Sequence, residues 1–333
     1  MGNEIVFTGK RQFALEGYQD PALSRTEVQG RTLATLISPG TELAWADVGP
    51  FPLKPGYAAV FEAEKVGQDV EGIAPGDHLL CMGGHRSTQH FDARYVLKLP
   101  VGMAPEVAVL ARLMGVSMTT LMTTTARPGD RVIVSGAGPV GLLAAHLCTI
   151  GGFDVTLVEP GARRRAQALA SGINDVRSAI PLDDAAFKSK VALVIDCSGH
   201  EQAVLDACNV VRKRGEVVLV GVPWKAHTSI LAHDVLRPVF FNFVVLRSGW
   251  EWEVPITNRD FVWEELYEGY NNAPHTTMSG LDKALRWLDQ GHVKTDGLIR
   301  KLSPSDPQGV YGSILDGKVE EPFVVFDWAN ATG

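Results

Sequence analysis

The stretch "VIVSGAGPVGLLAAHL" carries three glycines spaced Gly136-x-Gly138-x-x-Gly141. It follows an apolar, strand-like run and opens a helical pattern. A second apolar run then ends in an acid, Glu159, eighteen residues past Gly141. Each part has a physical task. Gly136 permits a tight turn, and Gly138 lets backbone N–H groups approach a pyrophosphate. Gly141 lets the helix sit close to the strands. The helix N-terminus, with Pro139 and Val140 in its first turn, faces the negative charge. Together they predict a dinucleotide site. Glu159 is placed to accept hydrogen bonds from the adenosine ribose of NAD and to repel the 2′-phosphate of NADP. Like charges about 4 Å apart cost roughly 1 kcal/mol in water and about 4 at an effective dielectric of 20. Arg164 can bond the same ribose, although the run Arg163-Arg164-Arg165 can instead grip a phosphate. NAD is therefore the expected coenzyme and NADP the alternative. Ser198-Gly199 in "CSG" and Gly221-Val222-Pro223 in "VGVP" end two further strand-like runs, where the nicotinamide half would lie.

These residues need elements to hold them. From "RVIV" onward, apolar strands alternate with helical patterns: "DVTLVE", "VALVIDCSG" and "EVVLVGVP" against "PVGLLAAHLCTIG", "RRRAQALASG" and "EQAVLDACNVVRK". Continuous Val/Ile/Leu runs suit strands buried on both faces, and the alternation predicts a doubly wound parallel sheet. The first hundred residues read differently. "TLATLI", "AAVFEAEKVG", "DHLLCM" and "RYVLKLP" are short strands broken by "SPGTE", "KPGY", "APGD" and "MGG". They predict a compact β-rich domain with turns at those breaks. "PEVAVLARLMGVSMTTLMTTTA" has helical spacing, as does "GLDKALRWLDQG", and "EPFVVFDW" reads as a closing strand.

Composition narrows the function classes. At 333 residues the chain has room for two domains. A net charge of −7 disfavours a nucleic-acid partner, since phosphate binding needs clustered Lys and Arg. No apolar run reads as long enough for a membrane span, and "MGNEIVFTGKRQF" lacks the apolar segment of a secretory leader. Cys81, Cys148, Cys197 and Cys208 never form C-x-x-C and read mostly as buried free thiols. The expectation is a cytoplasmic protein with a small-molecule substrate and no membrane partner.

The whole pattern resembles the medium-chain dehydrogenase/reductase family of alcohol dehydrogenase-like proteins. "SPGTE" resembles its Cys-Gly-Thr-Asp turn, and "KPGYAAVFEAEKVGQDVEGIAPGDHL" its segment from Gly-His-Glu to Gly-Asp-Arg-Val. "VIVSGAGPVGLLAA", "VIDCSG" and "EVVLVGVP" resemble its coenzyme motifs. The resemblance implies an α/β chain: an N-terminal GroES-like β-rich catalytic domain over 1–118, a Rossmann doubly wound parallel-sheet domain over 119–294, and a return to the first domain over 295–333. It implies a homo-oligomer, dimer or tetramer. Its three metal-ligand positions depart from the family. Pro39 stands where a cysteine ligand to catalytic zinc would be, Tyr57 where the histidine would be, with Ala58 beside it for the glutamate, and Arg112 where a third ligand is expected. The chain resembles a zinc-free member, nearest to the bacteriochlorophyllide and sugar or cyclitol dehydrogenase-like branch. Among the histidines only His85 and His90, in "HRSTQH", lie close together, in an expected loop without a third ligand.

Without a metal, other groups must move the proton. Zinc lowers the pKa of bound water from about 15.7 to about 7, and a comparable effect on an alcohol would be worth roughly 12 kcal/mol. A general base supplies about 10²–10⁴-fold, roughly 3–5 kcal/mol. A metal-free site therefore favours an activated substrate, such as an alcohol beside a conjugated ring or a carbonyl. Thr41 matches the family's hydroxyl residue that bonds the substrate. Tyr57 offers a phenol, Arg112 a cation for an oxyanion or a partner for Glu42, and His85 a proton shuttle; Ala44 stands where the family's relay histidine would be. Trp250 and Trp252 are expected as pocket walls for a flat or ring-shaped substrate. The reading is a zinc-independent NAD(H)-dependent oxidoreductase acting on a secondary alcohol or ketone, such as a ring-containing biosynthetic intermediate, sugar or cyclitol. The alternatives are an NADPH-dependent enone or quinone reductase and a non-catalytic nucleotide-binding protein.

Overall fold

The computed structural model describes residues 2–257 and 275–330. The chain divides into two compact units. One comprises residues 1–113, 285–291 and 295–333, the other 114–284 and 292–294.

The first unit is β-rich. Strands β1 (Gly2–Gly9) and β2 (Gln12–Tyr18) pair antiparallel with Phe7 opposite Phe13. Next come β3 (Glu27–Leu36), helix α1 (Pro39–Val48), β4 (Ala59–Val66), β5 (His78–Cys81), β6 (Thr88–Asp92), β7 (Val96–Lys98) and the short helix α2 (Pro105–Ala108). The C-terminal β14 (Ile299–Leu302), α9 (Pro307–Leu315) and β15 (Phe323–Asp327) complete it. The seven-stranded sheet runs β14-β15-β3-β4-β5-β7, with β6 also on β3. Strand β15 pairs antiparallel with β3, Phe326 opposite Thr35, so the closing segment is part of the first sheet. Phe7, Phe13, Tyr311 and Phe326 form an aromatic core between hairpin, sheet and α9.

The second unit holds β8 (Arg131–Ser135), α4 (Pro139–Ile150), β9 (Asp154–Val158), α5 (Ala162–Ser171), β10 (Asp175–Arg177), β11 (Val191–Asp196), α6 (Glu201–Val210), β12 (Val211–Leu219), α7 (Ala232–Phe241) and β13 (Val245–Ser248). Helix α3 (Ala111–Thr123) leads into it and helix α8 (Thr277–Asp289) leads out. All six strands are parallel, in the order β10-β9-β8-β11-β12-β13. Counted within the unit this is 3-2-1-4-5-6, the doubly wound Rossmann order, with its switch point between β8 and β11. The central β11, "VALVID", is buried at every residue, as expected of a strand covered on both faces.

Two expectations need correction. "SPGTE" is not a turn but the start of α1: Pro39 takes the first helical position, where its missing N–H costs nothing, and Ser38 is the N-cap. One apolar stretch, Pro105–Thr123, does have the length and composition to cross a membrane. It is 67% buried, as a core helix would be.

Candidate functional site

The glycine-rich turn joins β8 to α4. Gly136 sits at φ +95, a conformation only glycine adopts without strain. A Cβ on Gly141 would lie 1.8 Å from the Gly136 carbonyl oxygen, so α4 can approach the turn only without a side chain there. A Cβ on Gly138, the N-cap of α4, would meet nothing within 4 Å. The turn is therefore tight against the sheet and open above, which fits a pyrophosphate at the helix N-terminus.

Glu159, just past β9, is 6% exposed. Its Oε2 accepts from the Ala137 N–H at 2.9 Å and its Oε1 from the Gly161 N–H at 2.7 Å. A carboxylate has about four lone-pair directions, so capacity for ribose hydroxyls remains. The acid thus ties the glycine turn to the second strand end. Arg164 approaches it to 3.9 Å and is itself exposed. Arg165 donates to the Glu159 and Pro160 carbonyls and holds the loop.

The ends of β11 and β12 meet. Asp196, fully buried, accepts from the Ser198 N–H (3.1 Å), the Ser198 hydroxyl (2.5 Å) and the Gly199 N–H (3.0 Å), and the Asp196 carbonyl accepts from Gly221 N–H at 2.7 Å. Burial raises the Asp196 pKa, and these donors oppose the shift. The sequence reading missed Asp196, although it stands in "VIDCSG". Val222 and Pro223 follow Gly221 directly. Trp250 and Trp252, just past β13, are 68% and 42% exposed.

In the first unit three hydroxyls converge. Tyr57 Oη–H donates to Ser38 Oγ at 2.5 Å and also bonds the Thr41 side chain. The Arg112 guanidinium carbon lies 5.0 Å from the Tyr57 ring centroid, and Trp45 meets the ring edge-on at 6.2 Å. Tyr57 holds its proton more tightly than an ordinary phenol. Burial is the largest cause and Glu42 adds to it, while the bonds to Ser38 and Thr41 and the Arg112 charge pull the other way. At neutral pH the group is a phenol, able to donate. Ser38 is a second residue the sequence reading missed; its place before Pro39 was the available signal.

His85 differs from expectation. His85 Nε2 lies 3.0 Å from Glu42 Oε2 and Nδ1 2.7 Å from Thr35 Oγ1, with the side chain fully enclosed. Both ring nitrogens are engaged internally, which suits a buried strut rather than a shuttle. Glu42 also accepts from Ser38 N–H (2.8 Å) and Tyr311 Oη–H (2.5 Å). His90 lies on β6, not in a loop, and bonds Glu27 at 2.7 Å. Among the described residues no group of three or more His, Cys, Asp or Glu is placed to hold a metal ion. Pro39 has no donor atom, and Tyr57 and Arg112 supply a phenol and a cation, a set that does not fit zinc.

The parallel sheet in 3-2-1-4-5-6 order and its glycine turn define a Rossmann fold, the class that dinucleotide-binding proteins share. Residues 139–248 match the zinc-binding dehydrogenase family. L-galactonate-5-dehydrogenase of Escherichia coli (strain K12) is 30% identical over 133 residues, which span 36% of this chain and only 37% of that relative. Sorbitol dehydrogenase of Homo sapiens is 23% identical over 281 residues, 71% of this chain and 79% of the relative. The crystal structure of galactitol-1-phosphate dehydrogenase from Escherichia coli matches with a TM-score of 0.78 at 17% identity, covering 98% of this chain and 99% of that one. Residues 139–248 thus match the zinc-binding dehydrogenases, and the chain as a whole has the medium-chain dehydrogenase/reductase fold, a GroES-like β-rich unit and a Rossmann unit.

Proposed function

We propose that this protein is a zinc-independent, NAD(H)-dependent oxidoreductase that interconverts a secondary alcohol and its ketone. The observation that carries the reading is the hydroxyl cluster of Tyr57, Ser38 and Thr41, gathered where the family's metal ligands would stand. When bound, the nicotinamide accepts or supplies the hydride. The chain's own residues handle the rest. The glycine turn receives the pyrophosphate, and Glu159 reads the ribose. Thr41 orients the substrate oxygen, and Tyr57 gives that oxygen a proton in reduction or takes one in oxidation. Arg112, held over the Tyr57 ring, supplies positive charge to a developing oxyanion. The polyol and sugar-acid names of the relatives support a polyhydroxylated or cyclitol-like substrate. A substrate activated by a neighbouring carbonyl or ring fits the smaller driving force of a phenol.

Elemental analysis of protein purified without chelator, together with NADH and NADPH fluorescence titrations, tests this reading. No stoichiometric zinc and tighter NADH binding are expected. Stoichiometric zinc would sink the metal-free chemistry, and tighter NADPH binding would favour the reductase alternative.

A further inference from the structure

Ser38 occupies the N-cap of α1, where a serine hydroxyl ordinarily accepts from the N–H of the second or third helical residue. Ser38 makes no such bond. Its Oγ accepts from Tyr57 instead. The helix end is served in another way. Glu42, one residue beyond the usual capping-box acid, takes the Ser38 N–H at 2.8 Å from inside the fold. Glu42 is in turn held by His85 and Tyr311, and His85 by Thr35, whose Oγ1 also accepts from Trp328 Nε1 at 2.9 Å. A buried network spanning β3, α1, the turn before β6, α9 and the end of β15 thus holds the backbone of Ser38 and leaves its hydroxyl for Tyr57. Departures from the locally favoured bond collect at functional sites.

We infer that Ser38 is a positioning residue for the Tyr57 phenol, and that Glu42, backed by His85 and Tyr311, is what diverts it from capping. This rests on the proposed function. In reduction the hydride adds to the carbonyl carbon, and the carbonyl oxygen takes the Tyr57 Oη proton. Tyr57 Oη then takes a proton from the hydroxyl of Ser38 or Thr41, which solvent restores; oxidation runs in reverse. Before transfer Ser38 keeps the phenol turned in one direction, and after it the same hydroxyl steadies the phenolate. Among the described residues the charged groups acting on Tyr57 are Glu42 and Arg112, in opposite senses.

The test compares wild type with Ser38→Ala, Tyr57→Phe, the double variant and Ser38→Thr, after circular dichroism has confirmed folding. Ser38→Gly, which keeps a good N-cap residue without a hydroxyl, replaces Ser38→Ala if the latter fails to fold. Tyr57→Phe should slow kcat by about 10²–10⁴-fold. Ser38→Ala should slow it about tenfold, the effect of one hydrogen bond. The double variant should be no slower than Tyr57→Phe, because the two residues act as one unit. Ser38→Thr should retain most activity, and NADH affinity should hold throughout. Ultraviolet titration of the phenols gives a readout independent of turnover: the Tyr57 contribution, identified by its loss in Tyr57→Phe, should move to higher pH in Ser38→Ala. Multiplying rate losses in the double variant, or an unmoved Tyr57 titration, would overturn the inference. A Tyr57→Phe enzyme running at wild-type rate would instead sink the proposed proton donor, and the phenol titration alone would then decide whether Ser38 positions Tyr57.

Discussion

Glu159 shows how one side chain serves two purposes. Its carboxylate is tied to the N–H groups of Ala137 and Gly161, so the acid proposed to discriminate the coenzyme also shapes the glycine turn. Glu159→Ala should weaken NADH binding and improve NADPH relative to wild type, on the order of tenfold in the ratio, since a repulsion of about 1–4 kcal/mol is removed. The variant should also melt earlier, because two N–H groups lose their acceptor. Paired coenzyme titrations and a melting curve check both parts. An unchanged ratio would mean that the arginine run governs the choice. The position of Glu159 at the second strand end was legible in the sequence. The convergence of Ser38 on Tyr57 was not, since nineteen positions separate them and only folding brings them to 2.5 Å.

Elements add a layer that single residues do not reveal. Helix α4 presents His146 to Ser171 at the end of α5, at 2.9 Å. The Ser171 hydroxyl donates to the Ala168 carbonyl, so it must accept from His146, which places a proton on Nε2. Burial lowers the His146 pKa from 6.5 to about 4. The sign of the consequence follows. Above pH 6.5 neither folded nor unfolded chain binds the proton. Below it the unfolded chain does so first, and stability falls until about pH 4. At pH 5 the loss should be roughly 2 kcal/mol. Urea denaturation at pH 7 and pH 5 should show a smaller drop for His146→Gln than for wild type, and equal drops would refute the assignment. Helix α1 marks where reading by element failed. "SPGTELAWADV" carries Ser, Pro and Glu at N-terminal helix positions, but its apolar residues lack a helical stripe, and the Pro-Gly pair reads as a turn.

At the scale of the molecule, one face of the second unit is unusually apolar. Among the described residues strand β13 ends the six-stranded sheet, and Leu236, Phe240, Phe241, Phe243 and Val245 on and beside it are exposed. The Phe240 and Phe241 rings lie 5.2 Å apart, so the apolar surface is continuous there. An open edge strand can pair with its own copy about a twofold axis, and contiguous apolar surface marks interfaces. We propose a homo-oligomer, dimer or tetramer, built through this face. Sedimentation should show association that Phe240→Asp with Phe243→Asp reverses to monomer while circular dichroism is retained. A wild-type monomer at all concentrations would sink the proposal.

Much of the second unit was readable without coordinates. Its strands are continuous apolar runs, its helices follow at short intervals, and its glycines do their work within a single turn, so local spacing carries the information. The acid at Glu159 belongs to the same βαβ unit, close enough in sequence for spacing to find it. The first unit was readable only as β-rich. Its hairpin β1–β2 and helix α1 are local but lack a clear apolar period, while the return of β15 onto β3 pairs opposite ends of the chain. Absence of zinc-type donors at Pro39, Tyr57 and Arg112 could be read from the sequence. What fills their place could not. Glu42, His85, Tyr311, Thr35 and Trp328 come from distant segments, and each has an ordinary core role on its own. Only tertiary burial makes a carboxylate seek all its donors at once, and that demand decided which of the available hydroxyls Tyr57 would meet.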